Sequence, residues 1–178
     1  MDLERWIALA EELGFSHAGP LNVEALEFMP EVRTMCAADR CSMYGKSWTC
    51  PPGCGTLEEA AERAAQYRWG ILLQSTGILE DDFDVETMQE TERRQHERFM
   101  AFVERVREEY PDCLPMGTGA CRICGTCTYP DAPCRFPGKA IPSMEAYGLW
   151  VSKVCEQSGM EYYHGKGTIT FSACVPIA

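Results

Sequence analysis

Eight of the eleven cysteines in this 178-residue chain fall into two groups whose spacing suits metal binding. The tighter group is Cys121-x2-Cys124-x2-Cys127, followed after six residues by Cys134. Three thiolates two residues apart in a short loop can each reach a different iron of one four-iron cubane, with a more distant cysteine as the fourth ligand. The second group is Cys36-x4-Cys41-x8-Cys50-x3-Cys54, in which Pro51, Pro52, Gly53 and Gly55 permit sharp turns and amide-to-sulfur hydrogen bonds. Four thiolates also make a structural zinc site, though zinc usually meets two close pairs of cysteines rather than a run of three. The group at Cys36 fits zinc or iron–sulfur.

The run at Cys121 resembles that of bacterial ferredoxins, with two departures. Its last gap is six residues rather than three, and proline comes at Pro137 instead of directly after Cys134. The departures leave Cys155 and Cys174 as alternative fourth ligands, although an isolated cysteine in an apolar strand more often packs a core.

Other groups near the cysteines have plainer readings. Lys46, with Tyr44 and Trp48, is expected to be solvated while the two aromatics screen the site from water, and Arg122, Arg135 and Lys139 to be exposed loop cations. His96 lies among charges on a helical stretch, and His17 and His164 ligate only if the fold brings them to a site. Tyr162 and Tyr163 read as strand packing. No nucleophile elbow, phosphate loop, dinucleotide fingerprint or zincin motif is present.

The composition narrows the class further. A net charge of -11 opposes nucleic-acid binding, which draws affinity from clustered Lys and Arg. Met1 to Trp6 carries neither a basic n-region nor an apolar run, and no stretch approaches 18 apolar residues, so a soluble cytoplasmic protein with reduced thiols is expected, away from membranes.

The elements that must position the thiols follow from periodicity and caps. Residues 2 to 13 predict an amphipathic helix stopped at Gly14, then a strand over 15–21 and a short helix capped by Asn22 through Phe28. Thr56 and Glu59 form a capping box opening a helix to about Tyr67, and 69–78 reads as a central strand. Residues 85 to 109 predict the longest helix, with Met88, Phe99, Phe102, Val103 and Val106 inward. A strand over 114–120, a helix over 146–157, a hairpin turn at 163–167 and a strand over 168–175 complete the reading. The whole predicts one α/β domain over 1–178: a layered mixed sheet flanked by helices, interrupted by cysteine loops at about 36–55 and 121–137, the latter ferredoxin-like.

The segment from Tyr44 to Cys54, paired with that from Cys121 to Pro137, resembles a cysteine-rich microbial family of predicted metal-binding proteins of unknown function, from about Cys36 to the C-terminus. The resemblance implies metal binding and no particular reaction. From the residues, three readings are open. The first is a protein with one or two [4Fe-4S] clusters that moves electrons to or from a partner protein. The second is an enzyme using an open iron, and the third a zinc-stabilised interaction module.

Overall fold

The computed structural model describes residues 2–178. The Asp2 carboxylate accepts a hydrogen bond from the Arg5 N–H at 3.1 Å and opens α1 (Leu3–Glu12), which buries Trp6 and Ala10. After β1 (His17–Pro20) and a 3-10 turn (Val23–Ala25) comes α2 (Pro30–Ala37), a helix that periodicity did not announce. Pro30 starts it with a preset φ, and only Val32 is buried on it, so its apolar stripe is too thin to read. The capping box of Thr56 and Glu59 forms as expected and opens α3 (Leu57–Ala64). Then follow β2 (Trp69–Ile78), α4 (Val85–Glu109), α5 (Val151–Gln157) and β3 (Thr168–Ile177).

β2 is the central strand, in the order β1-β2-β3, and both pairings are antiparallel. The sheet is therefore not the mixed one expected. The chain enters β3 at the end where it leaves β2, Ile78 pairing with Thr168 and Gly167 accepting the Leu79 N–H at 2.8 Å. Residues 163–167 thus lead into β3 rather than joining two strands. Side chains alternate across β2. Ile71 and Leu73 pack with Ala173 and Val175 against α1 and α4, while Leu72 and Cys174 face Leu114, Met116, Met144 and Leu149.

Other local expectations give way to tertiary contacts. Asn22 caps no helix, because its side-chain amide donates instead to the Gln157 carbonyl at 3.3 Å. Residues 114–120 make two isolated bridges, Met116 to Cys174 and Gly117 to Ser143, instead of a strand. The helix expected over 146–157 is split at Gly148, whose φ of 81° is left-handed and where a Cβ would meet Leu57 Cδ2 at 2.6 Å. A 3-10 turn (Glu145–Tyr147) precedes the break and α5 follows it. On α4 the inward row takes in Thr91 and Gln95 rather than Met88.

Gln95 is fully buried, and neither atom of its amide has a hydrogen-bond partner among the described residues. Such a group bears its desolvation cost without return. Gln95→Leu, of similar volume, is expected to raise stability by about 1–3 kcal/mol, read as a higher urea midpoint. A lower midpoint would show that the amide is engaged.

Candidate metal centre

Cys36 sits in the last turn of α2, one helical turn after Arg33. The chain then turns without helix or strand until α3, carrying Cys41, Cys50 and Cys54. The 3-10 turn at 145–147 is the floor of this group: the Cys36 thiol donates to the Glu145 carbonyl at 3.8 Å and the Cys54 thiol to the Ala146 carbonyl at 3.5 Å. Arg33 ties the rim, donating from Nη1 to the Gly55 carbonyl at 3.0 Å and from Nη2 to Cys54 Sγ at 3.5 Å. Its Nε is buried with no hydrogen-bond partner among the described residues.

The four thiols of this group feel one another. Burial pushes the Cys50 thiol up to about 11, against a hydrogen bond from the Thr49 hydroxyl, and Cys41, Cys54 and Cys36 raise it further. Burial also raises Cys36, helped by Glu145 and Cys41 and opposed by Arg33. Cys54 is raised by burial and pulled back by Arg33. Clustered thiols that resist ionisation next to a single guanidinium are stabilised as thiolates when a cation joins them.

The second group is built differently. From 121 to 142 there is no helix, no strand and not one buried residue. Burial raises the Cys121 thiol, a backbone N–H of Ile123 lowers it, and Cys134, Cys124 and Cys127 raise it again, so the four thiols are neighbours. Cys127 is held below the ordinary thiol value. Partial burial pushes it up, but the N–H groups of Tyr129 and Trp48, the Ser47 hydroxyl and the Thr128 N–H outweigh that. Within the loop the Arg135 guanidinium donates to the Thr126 carbonyl at 2.9 Å and the Thr128 hydroxyl to the Pro133 carbonyl at 2.8 Å.

The structure thus brings Cys36, Cys41, Cys50 and Cys54 into one neighbourhood and Cys121, Cys124, Cys127 and Cys134 into another. Among the described residues, no three His, Cys, Asp or Glu side chains stand together closely enough to hold a metal ion as they are placed. The donor set is soft, and amide and hydroxyl donors surround it. Those are the surroundings that thiolate-bound zinc or iron requires.

Cys155 and Cys174, the alternative fourth ligands, lie fully buried in the core with Cys155 beside Gln74 and Ser172. Cys134, by contrast, is among the groups that raise the Cys121 thiol. His17 and His164 are brought to each other, stacked with ring centroids 4.1 Å apart, and His164 meets the buried Gln74 amide at 3.0 Å. Burial lowers the His17 pKa, and His164 lowers it further. His96 is exposed on α4, as expected. Tyr162 and Tyr163 are exposed rather than packed in a strand.

Lys46 donates to the Ser42 carbonyl at 2.9 Å and is exposed, the solvated role expected of it. Trp48 bonds the Ala132 carbonyl at 3.0 Å through Nε1, and Tyr44 is exposed. Arg122 faces Glu92 at 3.3 Å, and Lys139 is exposed. Arg33, Ser47 and Thr49 were not singled out by the sequence. Arg33 precedes Cys36 by three residues, a same-face spacing on a helix, and that signal appears once α2 is recognised. Among the described residues, no helix is long and apolar enough to cross a membrane.

Compared with known proteins, the chain gives no match among curated proteins and none among solved structures. A family model does match, over residues 20–177, a span that holds every cysteine described above. The chain belongs to the family described as predicted metal-binding protein (DUF2284).

Proposed function

We propose that this metal-binding protein is an iron–sulfur protein. It holds one [4Fe-4S] cluster on Cys121, Cys124, Cys127 and Cys134, takes a second on Cys36, Cys41, Cys50 and Cys54, and passes electrons to or from another protein. The observation that carries this reading is the stretch from 121 to 142. It bends three thiols spaced two residues apart and a fourth into one neighbourhood without burying a single residue. A packed core contributes little to that order, and a ligated centre would supply what is missing.

When bound, a [4Fe-4S] cluster supplies reversible one-electron chemistry. The protein's own residues set the surroundings in which that happens. The Ser47 hydroxyl and the Trp48 and Tyr129 N–H groups point charge-stabilising donors at Cys127, and Arg33 does the same at Cys54. Beside Cys134, Phe136 is 45 % exposed and flanked by the exposed Arg135 and Lys139. On an acidic chain this basic face suits an acidic redox partner.

A second reading has one observation of its own. An open cavity of about 490 Å³ is lined by Cys134, Trp48, Thr49 and three prolines, Pro130, Pro133 and Pro137. A cluster left without the Cys134 ligand would face this space, and the protein would then be an enzyme acting on a small substrate.

The deciding measurement is iron, acid-labile sulfide and zinc per chain, with the visible spectrum, on protein purified without oxygen. About eight irons and eight sulfides are expected, and about four of each if only one group is filled. Zinc without sulfide or colour would overturn the proposal in favour of a structural zinc module. A Cys134→Ser variant that keeps its cluster but loses a catalytic turnover would favour the enzyme.

A further inference from the structure

The two cysteine loops meet along one tripeptide. Ser47 and Thr49 are 2 % and 3 % exposed, and their hydroxyls are 3.1 Å apart. Thr49 Oγ1 accepts the N–H of Cys121 at 3.4 Å, while its own neighbour in sequence is Cys50 of the other group. Trp48 reaches across in two ways, by the Nε1 bond to Ala132 and by an edge-on contact with the Tyr129 ring at 4.9 Å. Gly53, between Cys50 and Cys54, closes the seam from the far side. A Cβ there would meet the Ser47 carbonyl at 2.5 Å and the Tyr129 ring at 2.8 Å, so only glycine lets the loops touch.

The connection is short as well as buried. Two virtual bonds of about 3.8 Å separate the α-carbons of Trp48 and Cys50, so the residue that bonds Ala132 of the second loop lies within about 8 Å of a cysteine of the first group. Neither loop has a helix or strand of its own to fix this segment.

We propose that the two cysteine groups take up metal cooperatively, as a paired site whose common wall is Ser47-Trp48-Thr49. The inference rests on the reading that both groups are metal sites, but not on the metal being iron. Filling one group holds the wall in place, and the conformational cost of ordering that wall is then absent when the other group fills. A wall shared in this way makes each group bind more tightly when the other is occupied.

Cobalt(II), added without oxygen to metal-free, thiol-reduced protein, tests this, because its thiolate absorption reports occupancy and native mass spectrometry separates molecules with none, one and two metals. The double variants Cys36→Ser/Cys41→Ser and Cys124→Ser/Cys134→Ser give the affinity of each group alone. In the unaltered protein the product of the two binding constants is expected to exceed the product of those single-group values by about tenfold or more. Thr49→Val, which keeps the shape and removes the hydroxyl, is expected to bring the ratio close to one, and Thr49→Ser to preserve it.

A ratio within about twofold of one in the unaltered protein overturns the proposal, as does a large ratio unchanged by Thr49→Val. Trp48→Phe, which deletes the bond to Ala132 from the same wall, gives a second reading should Thr49→Val fail to fold. Cobalt coupling in a protein that purifies with zinc and no sulfide would sustain the paired site while sinking the iron–sulfur reading. Iron clusters with independent cobalt sites would do the reverse, and failure of either group to take cobalt would sink the paired site while leaving a single iron–sulfur cluster on the other group to the iron and sulfide measurement.

Discussion

Stripping the metal from the protein with a chelator under reducing conditions is expected to release residues 121–142 while leaving the sheet closed. The two regions hold themselves together by different means. The sheet and its helices bury two apolar clusters, one on each face, and these need no ligand. The loop buries no residue fully, only Ile141 leans on the core, and its internal bonds are a few turns, such as Ala132 to Thr128, and side-chain stitches such as Arg135 to Thr126 and Thr128 to Pro133. Ordering each residue of such a segment costs about 1–2 kcal/mol of backbone entropy. Hydrogen exchange read before and after chelation should show amide protection falling at least about a hundredfold across this segment, equivalent to about 2.7 kcal/mol of lost linkage, with little change in β2 and β3. Protection that survives metal removal would mean that the loop is self-supporting and would remove the main support for a ligated centre there.

The second large effect belongs to the opposite side of the sheet. Phe102 is fully buried on α4, with its ring edge-on to Trp6 at 6.1 Å and to Phe15 at 6.2 Å, so it joins α4 to α1 and to the start of β1. Phe102→Ala removes the ring from a site that those aromatics cannot collapse to fill, and a loss of about 3–5 kcal/mol in unfolding free energy is expected. Phe102→Leu should cost less, because it keeps most of the volume. The variant should still bind its metal well below its melting temperature, because no cysteine of either group lies in the cluster around Phe102. A loss under about 1 kcal/mol would show that the α1–α4 contact contributes little to stability.

What could be read in advance was whatever local chemistry decides. β2 and α4 have the expected bounds because β2 centres on the apolar run Ile71-Leu72-Leu73 in a stretch of high β-propensity, and α4 pairs an apolar row with a dense charge pattern. The capping box at Thr56 works from four residues alone. The sheet's direction was not legible, since the pairing of Ile78 with Thr168 is made by contacts far apart in sequence. Gly148 falls inside the helix expected over 146–157, and what forbids that helix there, Leu57 in the space beside it, is 91 residues away in sequence. Of the candidate site, the two cysteine groups could be seen from spacing, whereas their surroundings could not. Arg33 serves Cys54 from a helix with one buried residue, and Thr49 acts on a cysteine 72 positions away.

The floor under Cys36 and Cys54 also orders events in time. Those thiols lean on the carbonyls of Glu145 and Ala146, and the sheet on which the 3-10 turn rests is completed by β3, which is synthesised after both cysteine loops. A nascent chain that has just emerged through Cys54 therefore has the ligands of its first group but none of the surface that gathers them. On the proposed reading, metal delivery to that group waits until the chain has been synthesised through β3, and until then nothing in the fold shelters those thiols from oxidation.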